Sequence, residues 1–212
     1  MLDFCGYSNA PPTNNTKSVL WLRNTGLTDS DSSGPDRDHT TDTDDGWYVY
    51  VPLDAQSSGV AILQSELLGP FDGTICFSFY YHILSETFSM TTKLLVQYMS
   101  PYVPIPFLVA NLSSSHMDRW IMYNKTFTNL PQGRFQFKTF QGQTSRADVA
   151  LDDISVKVGS CGQSSTTTQN PLSTTPEPKN QMQWDCNFES TPCKWKVTSG
   201  TGLTVSSWAT SK

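Results

Sequence analysis

Along most of its length the chain alternates apolar and polar positions in short runs bounded by turn residues. Seven runs read as strands: GWYVYVPL at 46–53, GVAILQSELLGP at 59–70, TICFSFYYHIL at 74–84, KLLVQYMS at 93–100, RWIMYNKTFTNL at 119–130, GRFQFKTFQG at 133–142 and ADVALDDISVKVG at 147–159. In the third, Cys76, Ser78, Tyr80 and His82 fall on one face, and Phe77, Phe79, Tyr81 and Ile83 on the other. That period of two is the signature of a strand with one face in a core. No segment combines a 3.6-residue period with helix caps. The pattern predicts an all-β antiparallel fold, a sandwich or jelly roll.

The alternation stops at Gly162. GQSSTTTQNPLSTTPEPKNQ is rich in Ser, Thr and Pro and nearly devoid of apolar residues. Such a stretch buries too little surface to offset the entropy of ordering it. Residues 162–183 therefore read as an extended linker, with the composition of an O-glycosylated stalk. Apolar and cysteine residues return at 184–212, too few for a core of their own.

Charge narrows the partners. Charged residues make up 16% of the 212-residue chain and the net charge is −5, with Lys and Arg scattered. Nucleic acid is excluded as the main partner, because phosphate binding needs a concentrated basic patch. No apolar stretch reaches the about 20 residues that span a bilayer. The N-terminus has neither a basic nor an apolar signal region. Yet N-x-[ST] sequons at Asn14, Asn111 and Asn124 are candidate glycosylation sites. The five widely spaced cysteines favour disulfides over zinc, both marks of an extracellular protein. The missing signal and the odd cysteine suggest a piece of a longer protein.

Two segments resemble each other. Cys5 and Cys193 each precede an aromatic residue by two positions, and Trp21 and Trp208 follow them by 16 and 15 residues. This reads as the start of one module repeated. The motifs in order are a cysteine followed by Gly-Tyr at 5–7, GPDRDHT at 34–40, GWY at 46–48, CFSFYYH at 76–82, Trp120, ALDDI at 150–154 and Cys161. This series resembles the MAM domain, the module named after meprin, A5 antigen and receptor tyrosine phosphatase mu. CNFE at 186–189 resembles the opening of a second copy. The resemblance implies a two-sheet antiparallel jelly roll at 1–161 lacking its first strand, the linker at 162–183, and the start of a second MAM domain at 184–212.

The family's cysteine order implies Cys76–Cys161 and Cys186–Cys193 disulfides, with Cys5 unpaired. In the chain-entropy model the long loop contributes roughly 4–5 kcal/mol and the short one roughly 2–3. A competing arrangement has the tail reach back across the linker, lay WDCNFE along the open sheet edge, and place Cys186 beside Cys5. The short bridge is the expectation, because its closure costs little entropy.

Some family members hold sodium or calcium on acidic residues. Carried over, Asp38 and Asp152 are the metal candidates, a structural calcium or sodium ion being the one cofactor considered. The plainer reading has Asp38 and Thr40 bonding within a turn and Asp153 capping a strand end. Asp42, Asp44 and Asp45 read as a solvated turn. His39 and His82 read as hydrogen-bonded structural groups, and His116 as exposed. No nucleophile–base motif or H-E-x-x-H occurs, so no catalytic residue is expected. The resemblance implies an extracellular adhesion or protein-interaction module, binding other proteins including like molecules, in a parent protein that is membrane-anchored or secreted. Two alternatives stand beside it: the non-catalytic part of a metalloprotease, and a glycan-binding jelly roll.

Overall fold

In the computed structural model the alternating runs become strands that stack in two layers. The structure describes residues 4–11, 17–28, 33–52, 59–84, 92–113, 118–140, 147–162 and 183–189. In chain order the strands are β1 (Ser8–Asn9), β2 (Lys17–Ser18), β3 (Leu22–Thr25), β4 (Trp47–Val51), β5 (Gly59–Gln64), β6 (Phe71–His82), β7 (Lys93–Met99), β8 (Phe107–Ser113), β9 (Ile121–Leu130), β10 (Arg134–Phe140), β11 (Val149–Val158) and β12 (Gln183–Cys186). One sheet runs β1-β5-β10-β7-β8, with β2 beside β5. The other runs β3-β4-β11-β6-β9, with β12 beside β11. Pairing is antiparallel except for the two-residue contact of β2 with β5. The all-β, two-sheet jelly-roll class is the one the alternation predicts.

The core lies between the layers. Phe77, Phe79 and Ile75 of β6 meet Phe135 and Phe137 of β10, with Phe77 and Phe135 stacked at 3.8 Å between ring centroids. Burying side chains of this size contributes roughly 1.5–3 kcal/mol each. β11 is apolar over most of its length because it is central, flanked by β6 on one side and by β4 and β12 on the other. The Cys76–Cys161 disulfide ties the middle of β6 to the residues after β11, with Cα atoms 4.9 Å apart.

The tail corrects the sequence reading. β4 pairs with β11 only over Val149–Leu151, and β12 takes the same edge from Ile154 to Lys157. Cys186 is bonded to Cys5, with Cα atoms 5.7 Å apart. Cys5 is therefore not unpaired, and Cys186 does not bridge to Cys193, which lies outside the described residues. Residues 184–189, expected to open a second copy, are built into the first sandwich, together with Gln183 at the end of the expected linker. Residues 190–212, with Trp195 and Trp208, lie outside the described residues.

The physical reason is that packing and strand pairing add to loop-closure entropy. The tail also completes a backbone ladder and buries Cys186 and Phe188, and Trp184 packs edge-on against Phe71 at 5.3 Å. Arg23 donates to the Phe188 carbonyl and lies 3.6 Å from the centroid of the Trp47 ring. Closing the 181-residue loop contributes about 5 kcal/mol in the same chain-entropy model, more than a short bridge does.

Candidate functional site

The acidic turn 34–46 lies on the outer face of the β11 sheet, and a β-bulge holds it there. Asp152 pairs with Tyr80 and Ser155 with Ser78, so between these pairs two residues of β11, Asp153 and Ile154, oppose one of β6, Phe79. The extra residue keeps Leu151, Ile154 and Val156 facing the core. Asp153 takes a left-handed backbone, φ 47°, an arrangement Asp tolerates better than most residues.

Adjacent carboxylates then grip the turn. One oxygen of Asp152 accepts from the backbone N–H groups of His39 and Thr40, the other from that of Asp153. Asp153 meets His39 Nδ1 at 2.6 Å and accepts from Thr40 Oγ1. The His39 ring stacks on Tyr80 at 3.4 Å. Asp38 closes the turn from within, accepting from Thr41 N, Thr41 Oγ1 and Thr43 N. Burial pushes its pKa up, but these donors outweigh burial and hold it below the usual carboxylate range. Asp152 has burial and the neighbouring Asp153 charge against it, and rises to about 8.

The carboxylates expected to share a cation are thus committed separately. Each oxygen of Asp38 and Asp152 already accepts from an N–H or O–H donor. Among the described residues no group of three or more His, Cys, Asp or Glu side chains is arranged to hold a metal ion. The donor set fits a hydrogen-bonded clamp better than a shared cation cage. The carboxylate beside Asp38 is Glu189, which also accepts from Trp47 N at 2.8 Å. Burial first, and then Asp38, push Glu189 up. Sequence reasoning assigned Glu189 to a second copy; the CNFE motif was the signal, and only its placement was missed.

Asp42, Asp44 and Asp45 are exposed. His82 is buried, with Nε2 at 2.8 Å from Asp118; burial lowers its pKa, against the pull of Asp118. It lines a cleft with Arg37, Asp42, Arg119 and Trp120 that sequence reasoning did not single out. Asn111 and Asn124 are exposed on the edge strands β8 and β9. Asn14 and His116 lie outside the described residues.

Fold and turn together define a disulfide-tied β-sandwich module of the jelly-roll class. The family model "MAM domain, meprin/A5/mu" matches residues 2–162, and the chain belongs to that family. It is 28% identical over 151 residues to MAM domain-containing protein 2 of Homo sapiens, covering 70% of this chain and 21% of that protein. It is 26% identical over 170 residues to MAM domain-containing glycosylphosphatidylinositol anchor protein 2 of Rattus norvegicus, covering 74% and 17%. The chain thus spans about a fifth of these relatives. Among solved structures it is similar to the K1 cleaved adhesin domain of Lys-gingipain from Porphyromonas gingivalis W83. That match has a TM-score of 0.47 and 11% identity, and covers 71% of this chain and 89% of that one. It is also similar to TmCBM61, solved in complex with beta-1,4-galactotriose. There the TM-score is 0.40 and the identity 14%, over 70% and 85% of the two chains. Among the described residues no helix is long and apolar enough to cross a membrane.

Proposed function

We propose that the chain is a non-catalytic, extracellular adhesion module that docks a second copy of itself. Its disulfides suit an oxidising compartment. The observation that carries the reading is the β7–β8 hairpin. Tyr102 and Ile105 are 73% and 76% exposed, and Val103, Phe107 and Leu108 are exposed beside them. A contiguous apolar patch of this kind marks an interaction surface. Residues 101–110 carry no charge in a chain of net charge −5. Two copies can therefore meet there with their like charges held apart, and Lys125, 5.0 Å from the Phe107 ring centroid, sits at the rim.

Bead aggregation with purified protein tests this. Wild-type-coated beads should cluster, and beads carrying Tyr102→Asp with Ile105→Asp should stay dispersed while keeping the wild-type circular dichroism spectrum. Failure of wild-type beads to cluster, or clustering by the double variant, would show that this hairpin is not a self-docking surface.

A further inference from the structure

The cleft beside His82 has no part in that docking reading, and its chemistry points elsewhere. It has a volume of about 280 Å³, on the outer side of the β11 sheet. Trp120 forms its apolar wall, set edge-on to Tyr48, His39 and His82, with its indole N–H donated to the Arg37 carbonyl. The indole is thereby fixed in orientation before any ligand arrives. Arg37 and Arg119 bring donors, and Asp36, Asp42 and Asp118 bring acceptors.

Two of these groups are incompletely used. Arg119 makes no ion pair with a described residue. His82 is 1% exposed and bonds Asp118 through Nε2, but its Nδ1 has no hydrogen-bond partner among the described residues. A buried ring nitrogen left so is costly unless something completes it.

The balance of charge selects the ligand. A cation would face two guanidinium groups, and a simple anion three carboxylates. A neutral polyol satisfies both, because each hydroxyl donates to a carboxylate and accepts from a guanidinium. A pyranose adds an apolar C–H face for the indole, and the volume is near the lower end of ligand pockets, room for one ring. We propose that this cleft is a binding site for one pyranose residue of a neutral glycan, with Arg119 and Asp118 as its polar contacts and Trp120 as its stacking wall.

Saturation-transfer NMR and calorimetry on the intact chain test it. The probes are the methyl glycosides of galactose, mannose and glucose, with sialyllactose and lysine amide as anionic and cationic controls. At least one neutral glycoside should bind saturably, and Arg119→Ala should weaken it about tenfold, the loss expected for one charge-assisted hydrogen bond. Asp118→Asn, which keeps a partner for His82 Nε2, should weaken it too. Both positions are exposed, so the fold should be retained. Preferential binding of lysine amide or of sialyllactose would overturn the proposal. So would the absence of binding by every neutral glycoside, or binding unchanged in both variants.

Discussion

At residue scale the outer face of the β11 sheet depends on one missing side chain. A Cβ on Gly46 would sit 2.1 Å from the Asp38 carboxyl. Gly46→Ala must push Asp38 off its Thr41 and Thr43 donors, and is expected to cost about 1–3 kcal/mol, the range for overpacking a fitted site. Urea unfolding checks it: a midpoint unchanged from wild type would mean the turn yields freely. His82 gives a pH signature. Its pKa is lowered in the folded state, so as pH falls below about 6.5 the unfolded chain takes up the proton first. The His82 contribution to stability should therefore decline from pH ~6.5 down to the lowered pKa and level off below it, while Asp152, raised to about 8, adds the opposite slope over the same range. His82→Gln should remove that decline, seen as a smaller loss of unfolding free energy between pH 7 and pH 5 than in wild type.

At the scale of elements, the seven runs were legible because apolar residues follow burial: in β6 Phe77 and Phe79 face the core while Ser78 and Tyr80 do not, and β4 and β11, buried almost throughout, are apolar over most of their length. β8 was not legible. Prolines at 101, 104 and 106 precede it, and as an edge strand it exposes Phe107, Leu108, Asn111 and Ser113, which blurs the alternation. The bulge was equally hidden, since one extra residue between Asp152 and Ser155 leaves the apolar pattern of ALDDI unchanged. The Asp152–Asp153 pair was flagged for its chemistry, but its hydrogen bonds reach back 112 to 114 residues in the chain. β12 is the element whose removal tests most. Phe188 is fully buried, and Phe188→Ala should cost about 3–5 kcal/mol by guanidinium unfolding. A change under 1 kcal/mol would mean that the tail only rests on the sheet.

For the whole molecule, the linker and the second disulfide make a joint prediction. Trypsin and similar proteases should cut first within 163–182, where composition argues against packing. The two pieces should migrate together on a non-reducing gel and separate after reduction, because Cys5 and Cys186 lie on opposite sides of the cut. Separation without a reductant would contradict that bond. The place of the tail was the least legible property of the chain. Local composition marks where alternation stops, but it carries no information on which sheet edge a strand after the gap will find.

The same bond has a consequence for biosynthesis. Cys5 emerges from the ribosome first, and its partner follows 181 residues later. At about 5–20 residues per second that is an interval of roughly 10–40 s. Throughout it the edge of β11 beyond β4 is uncovered, and the first cysteine is a thiol open to any oxidant. Cys76 and Cys161 come out between the two and can pair earlier. The order of synthesis thus favours closing the inner loop before the outer, and makes β12, translated after every other described strand, the one that finishes the sheet.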